Sequence, residues 1–170
     1  MKNDGHLNVS TSGEREVVMT RSFDAPRELV FDAFTRPDLV RRWLLGPPGM
    51  TMPVCEIDLR VGGRFRYVWR LRDGSDMGMG GVYREIAPPE RIVYTELFDE
   101  DWTGGETLVT TLFTEQGGRT AVTMTVLYSS REARDAALRT GMADGVAASY
   151  DRLDEVLASM PARGDAQHVA

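Results

Sequence analysis

The stretch from Ser130 to Met160 constrains this chain most. Its larger apolar residues are Leu138, Met142, Val146, Tyr150, Leu153 and Leu157, spaced 4, 4, 4, 3 and 4 apart. On a helix of 3.6 residues per turn that spacing draws one apolar stripe. Ser129 or Ser130 can serve as N-cap, Glu132 sits in the first turn, and Pro161 and Gly164 follow the last periodic residue. These signals predict a single continuous helix. At about 1.5 Å per residue it would be roughly 45 Å long, so it must lie across something broad. Gly141 and Gly145 fall on or beside the stripe. They predict either a kink with close packing on a sheet, or space left for a ligand where side chains are missing.

The broad partner lies upstream. Glu16–Phe23, Thr51–Leu59, Arg64–Leu71, Met77–Ile86, Arg91–Phe98, Glu106–Glu115 and Arg119–Tyr128 all read as strands. The clearest is Arg64–Leu71, where Phe65, Tyr67, Trp69 and Leu71 alternate with Arg64, Arg66, Val68 and Arg70. One face is aromatic and the other mostly cationic, as in a sheet buried on one side only. Pro53 points to an edge strand or a bulge. Asp73-Gly74, Pro88-Pro89 and Gln116-Gly117-Gly118 mark turns. Asp24 stands near the N-cap of a short helix with Pro26 in its first turn, and Pro37 opens a second helix through Trp43. Gly46-Pro47-Pro48-Gly49 forms a turn or rigid loop. Consecutive strands with short turns predict an antiparallel sheet. The expected fold is therefore α+β in two layers, in the order β-α-α, six β, α. Residues 1–13 and 161–170 read as mobile tails around one domain spanning 14–160.

Composition narrows the function. The net charge is −6 and no basic run exceeds Arg41-Arg42, which argues against a nucleic-acid partner. The lone Cys55 excludes an intramolecular disulfide and a multi-cysteine metal site. No apolar run reaches the ~18 residues of a membrane span, and the first ten residues lack a signal-peptide core. A cytoplasmic protein without a membrane partner is expected. The two histidines, His6 and His168, both sit near the ends. The core thus loses its commonest general base and commonest metal ligand, and neither metal nor cofactor is expected.

Several segments resemble a known group. They are W-L-L-G-P-P-G-M-T-M (43–52), D-L-R-V-G-G-R-F-R (58–66), G-V-Y-R-E-I-A-P-P-E-R-I-V-Y-T (81–95), Q-G-G-R-T (116–120) and T-G-M-A-D-G-V-A-A-S-Y-D-R-L (140–153). Together they resemble the START-like, SRPBCC superfamily, and within it the group named after the activator of the ninety-kilodalton heat-shock-protein ATPase. The likeness runs from about Glu14 to Ser159. It implies a helix-grip (START/Bet v-like) fold, a curved antiparallel sheet wrapped on a long C-terminal helix with a hydrophobic cavity between them. It also implies a range of roles: lipid and hormone carriers, aromatase/cyclase-like enzymes and co-chaperone domains. This chain departs from the pattern at two positions. Val146 follows Gly145 where such proteins often carry a large aromatic, and Val126 stands where they often carry a histidine. Both changes make the implied cavity more apolar.

Candidate wall residues are Phe65, Tyr67, Trp69, Met79, Tyr94, Phe113, Met124, Met142, Val146 and Tyr150, with Met52 and Phe98 of the same character. Plain core packing would use the same residue types, since a cavity wall is core with one face free. Glu96 shares the alternation of Ile92, Tyr94 and Phe98. It points inward as an acid, base or hydrogen-bond anchor, or outward after a bulge. No catalytic residue is assigned; Glu96 and Tyr67 are the candidates. Glu56 and Asp58 read as solvated edge carboxylates, and Glu85 as the partner of an arginine. Arg64, Arg66 and Arg70 form either a salt-bridged surface or a docking patch for an acidic partner. The leading expectation is a carrier or sensor binding a small hydrophobic or aromatic ligand, as a monomer or homodimer. The alternatives are an interaction protein that contacts a chaperone, and a cyclase- or hydrolase-like enzyme using Glu96 or Tyr67.

Overall fold

Alternation along the strands sets the two faces of the molecule. In Arg64–Arg70 the side chains of Phe65, Tyr67 and Trp69 are buried, while Arg64 and Arg70 are exposed. The same period of two buries Val17, Met19, Arg21 and Phe23 in the strand Glu16–Phe23. A computed structural model of the protein describes residues 6–160. It comprises strands β1 (Asn8–Ser12), β2 (Glu16–Phe23), β3 (Thr51–Ile57), β4 (Arg64–Arg70), β5 (Asp76–Ala87), β6 (Arg91–Phe98), β7 (Thr107–Gln116) and β8 (Arg119–Leu127). The helices are α1 (Arg27–Thr35), α2 (Pro37–Trp43), α3 (Arg131–Leu138) and α4 (Met142–Ser159). The strands form one curved, unclosed antiparallel sheet in the order β1-β2-β8-β7-β6-β5-β4-β3. The β3–β8 run is a meander, and only β2 crosses over to join the last strand. The expected helix-grip architecture is present: sheet on one side, helices on the other.

The expected continuous C-terminal helix is two helices. Ser130 caps the first as predicted, its Oγ accepting from the Ala133 amide at 3.0 Å. The helix then tightens, with the amides of Arg139 and Thr140 reaching back only to Ala136 and Ala137. The Thr140 hydroxyl donates to the Ala137 carbonyl at 2.6 Å. Gly141 follows at φ 81°, a left-handed conformation that ends helices and strongly favours glycine. The helix starts again one residue later. Of the two readings for Gly141, the break in the helix is the observed one. Only the 18 residues of α4 carry the main stripe, a rod of about 27 Å.

The sheet has an extra strand. Residues 1–13 were expected as a tail, yet Asn8–Ser12 pairs with β2 from Asn8↔Thr20 to Ser12↔Glu16. All five residues of β1 are exposed. With no buried face there is no apolar alternation to read. The expected tail at 161–170 lies outside the described residues. A smaller correction concerns α1, whose N-cap is Pro26 without a side-chain cap, not Asp24. Pro53 lies in the edge strand β3, where the register shifts between Thr51 and Val54.

One buried charge locks the last helix to the sheet. Arg21 on β2 is 3% exposed and points inward. Its guanidinium donates to Asp151 Oδ1 at 2.9 Å and Asp154 Oδ2 at 3.1 Å, both on α4. It also lies 5.1 Å from the centroid of the Phe23 ring. The two acids are largely solvated, so they lose little when unpaired, whereas Arg21 does not share that freedom. Replacing both Asp151 and Asp154 by alanine should therefore destabilise the fold by about 3 kcal/mol. Arg21→Met, which removes the buried charge but keeps bulk, should cost less. Urea midpoints of the two variants check the order.

Candidate ligand cavity

Two aromatic cores form beneath the helices and do not fill the space between them. One joins α1, α2 and α4 to β2, β7 and β8 through Phe23, Phe31, Trp43, Phe113, Tyr150 and Leu153. The other joins β3, β4 and β5 to α2 through Val40, Met52, Cys55, Phe65, Tyr67 and Trp69. Between them lies a cavity of about 520 Å³. That exceeds by far the water-sized voids that close packing normally leaves and falls within the range of small-molecule sites.

Each wall is built by a different element. The sheet contributes Phe65, Tyr67, Trp69, Met79, Tyr94, Glu96 and Met124, and α4 contributes Met142, Val146 and Tyr150. The expected wall residues are thus brought together, except for Phe113 and Met52. Phe113 packs edge-on against Phe31 and Phe34, with centroids 5.4 and 5.2 Å away, and belongs to the closed core. It faces the correct side of the sheet, but the α1 rings cover it. Met52 likewise fills the second core without reaching the cavity.

Sequence reading missed the third wall, the loop after α2. Leu44, Leu45, Gly46, Pro47 and Met50 all line the space. Polar ties hold this loop on both sides. The Gly46 amide donates to Ser149 Oγ at 2.8 Å, and Arg152 donates to the Gly46 carbonyl at 2.7 Å, both ties reaching α4. From the sheet, Trp69 Nε1 donates to the Leu44 carbonyl at 2.6 Å. Trp43 donates to the Ala33 carbonyl at 2.9 Å, so both indole N–H groups are satisfied in apolar surroundings. The signal for this wall was the Trp43-Leu44-Leu45 run before the glycine-proline turn, apolar residues that a solvated loop would lack. Trp102 and Thr103, from the loop after β6, add a fourth side. The exposed lining residues Pro47, Trp102, Thr140 and Gly141 mark the mouth. At Gly145 an added Cβ would meet only Pro47 Cδ, at 3.8 Å. There the missing side chain does leave cavity space.

Ring contacts continue from floor to mouth. Tyr94 touches Phe65 at 5.4 Å, Phe65 touches Tyr67 at 5.0 Å, and Tyr67 touches Trp69 at 5.8 Å. Trp69 stacks on Phe98 at 6.5 Å, and Phe98 meets Trp102 at 4.9 Å. A bare Cβ at Gly81 would collide with the Thr95 carbonyl and the Phe65 ring, so the glycine lets β5 pass close beneath that ring.

Glu96 turns inward, following the alternation of β6, and lines the cavity. Burial alone pushes its carboxyl up from 4.5 to about 7, with no hydrogen bond or neighbouring cation among the described residues to offset it. Burial is also the main cause that pushes up the hydroxyls of Tyr67, Tyr94, Tyr128 and Tyr150, and the charge of Glu96 adds to the shift in each. These phenols stay protonated at neutral pH, so Tyr67 can donate a hydrogen bond but not act as a base. The Tyr128 hydroxyl donates to the Met142 sulfur at 3.2 Å. Val126 and Val146, the two departures from the family pattern, both line the cavity. Cys55 is buried against the Pro37 carbonyl, and burial pushes its thiol up to about 11, which leaves it unreactive.

Outside the cavity the remaining candidates are ordinary surface. Glu85 pairs with Arg91 at 3.0 Å, as expected. Arg66 makes a two-pronged pair with Asp99 at 2.7 and 2.6 Å, and Arg70 pairs with Asp76. Two of the three arginines considered as a docking row are therefore already engaged. Glu56 and Asp58 are exposed. Among the described residues, no group of three or more His, Cys, Asp or Glu is placed to hold a metal ion. No helix there is long and apolar enough to cross a membrane.

Comparison with known proteins adds to this geometry. The family model described as Activator of Hsp90 ATPase homolog 1-like protein matches residues 24–158. A crystal structure of a Rhodobacter sphaeroides protein is 34% identical with a TM-score of 0.86, covering 92% of this chain and 100% of that one. The crystal structure of protein Ms6760 from Mycobacterium smegmatis has the same fold at 24% identity, with a TM-score of 0.80 and coverage of 92% and 100%. The solution structure of an AHSA1-like protein from Aeromonas hydrophila shares it at 19% identity, with a TM-score of 0.66 and coverage of 86% and 99%. No curated protein matches the chain by sequence.

Glu96 links this site to stability. An unfolded carboxyl with a value of 4.5 and a folded one near 7 mean that the folded state holds an extra proton in that window. The ligand-free protein should therefore lose stability as pH rises from about 5 to 8, by up to about 3 kcal/mol. Glu96→Gln should flatten that slope and be the more stable protein at pH 8. Denaturant unfolding of both proteins across this range measures it.

Proposed function

The chain belongs to the Activator of Hsp90 ATPase homolog 1-like family of the START-like superfamily, and from that premise we propose that it is a carrier or sensor for a small apolar or aromatic molecule. The observation that supports this reading is the cavity of about 520 Å³ between sheet and helix, walled almost wholly by apolar and aromatic side chains. A fold gains stability by closing such a space. Here Val146 and Gly145 keep it open where larger side chains would close it. Methionines at Met50, Met77, Met79, Met124 and Met142 give the wall side chains that can adapt to a guest. The ligand would pass the mouth between Pro47, Trp102 and Gly141 and settle against the aromatic run of β4. Working in the cytoplasm would suit a chain with a buried free thiol.

An apolar ligand that fits the existing space displaces no core. It should stabilise the fold by about 2.7 kcal/mol at a hundredfold excess over its dissociation constant. All three tryptophans, Trp43, Trp69 and Trp102, line the cavity, so ligand should change the intrinsic emission. Val146→Trp should fold, because it grows into open space, and should weaken binding by filling it. Thermal unfolding of both proteins against a panel of naphthalene-sized apolar compounds provides the test. The reading fails if no compound shifts the wild type and the variant is destabilised by the roughly 1–3 kcal/mol of an overpacked core.

A further inference from the structure

We propose that the cavity selects a lipophilic ammonium, an aryl or alkyl amine in its protonated form, whose N–H groups donate to the Glu96 carboxylate while its apolar body fills the aromatic run. The proposal rests on the cavity-binding reading above and names the class of ligand.

The charge inventory of the wall points to this class. Among the described residues Glu96 is the only acidic or basic side chain lining the cavity; no described Asp, Lys, Arg or His faces it. The buried guanidinium of Arg21 interacts electrostatically with Tyr150 but is held by Asp151 and Asp154 and does not line the space. A carboxylate or phosphate guest would therefore bring a second negative charge beside Glu96 with no cation to receive it. A neutral hydrocarbon would leave the carboxyl without a partner in an apolar site. An ammonium meets both needs: it gives Glu96 a charge-assisted hydrogen bond and travels past ring faces that favour a cation over an anion. Those rings lie along the route from the mouth at Trp102, through Phe98 and Trp69, to Tyr67, Phe65 and Tyr94 on the same sheet face as Glu96. The acidic balance of the whole chain, −6, adds a weak attraction of the same sign.

The titration of the site follows. The groups around Glu96 are Tyr67 of β4, Tyr83 of β5, Tyr94 of β6, Tyr128 beyond β8 and Tyr150 of α4. Burial is the main cause that pushes each phenol up, so none titrates between pH 6 and 8. Glu96, near 7, does. At pH 6 it holds its proton, and an ammonium must expel that proton to pair with it. At pH 8 the carboxylate is ready and the amine is still protonated. Affinity for the ammonium should rise from pH 6 to 8, while affinity for a neutral guest should not.

The experiment uses three probes of one shape: 2-naphthylmethylamine, its neutral isostere 2-ethylnaphthalene, and 2-naphthylacetate. Binding to the wild-type chain and to Glu96→Gln is measured by calorimetry at pH 6 and pH 8. At pH 8 the wild type should bind the amine roughly tenfold or more tighter than the isostere, with the carboxylate weakest. Glu96→Gln should lose that preference and the pH dependence while binding 2-ethylnaphthalene at least as tightly as the wild type does. That last arm also shows that the variant is folded. If 2-ethylnaphthalene binds the wild type as well as the amine does, or if Glu96→Gln keeps the preference, the ammonium proposal is overturned and the apolar-cavity reading survives. If none of the three binds, both fall together.

Discussion

The arrangement depends on where α4 is pinned. Arg21, Asp151 and Asp154 tie the C-terminal half of the helix to β2. Around that tie Tyr150 meets Phe23 edge-on at 5.3 Å and Trp43 at 5.9 Å, and Leu153 is fully buried. The N-terminal half makes no ion pair to the sheet among the described residues, and only the Tyr128 hydroxyl on the Met142 sulfur is described as a polar tie there. Met142, Gly145 and Val146 lie over the cavity. A helix fixed at one end and spanning open space at the other needs support from elsewhere, and the loop after α2 gives it. Ser149 and Arg152 hold Gly46 from the middle of the helix. The hydrogen bonds that complete the cavity wall thus also brace the helix above it.

The break at Gly141 has a part in this geometry. A straight continuation of α4 toward Ser130 would make a rod of roughly 45 Å. Instead the chain turns, and Ala137 of α3 packs with Val17, Met19, Val109, Val126 and Tyr128 as a third small core. That core closes the β2–β8–β7 end of the sheet, and the turn leaves Thr140 and Gly141 at the mouth. The cavity is therefore bordered by three cores, with α2 shared by two of them and α3 closing the third.

Much of this was legible in the sequence, for a physical reason. Where one face of a strand is buried and the other wet, period-two alternation is strong, so β2 and β4 read clearly; β6 buries residues on both faces, and counting from Ile92 and Tyr94 left Glu96 open between inward and outward. Where burial is absent or shared, the signal fails. β1 has both faces exposed and reads as a tail. Phe113 shares the alternation of the wall residues, but whether a ring covers it depends on Phe31 and Phe34 of α1, which lie some 80 positions away. The helix break was visible as a glycine. That it breaks the helix, and does not merely narrow it, depends on a left-handed φ that periodicity alone does not encode. Gly46-Pro47-Pro48-Gly49 reads as a turn or rigid loop, but the role of the segment from Leu44 to Met50 as a wall comes from tertiary hydrogen bonds to residues about a hundred positions later.

Glu96 is the point at which folding and function pull apart. Position 96 lies on a central strand, flanked by paired strands on both sides, where an apolar residue would pack at no electrostatic cost. A carboxyl there raises the free energy of the ligand-free fold at every pH where it is ionised, since burial opposes its charge and nothing in the wall answers it. A structural role would come with a partner: Arg21 shows how this same chain handles a buried charge, with two acids and a ring. Glu96 has been left without that treatment inside a space large enough for a guest. No partner for its charged form lines the space among the described residues, and the proposed ammonium guest would supply one that fits among the rings. The electrostatic cost of the empty site then becomes selectivity when the site is filled, because only a guest that neutralises the carboxylate relieves it.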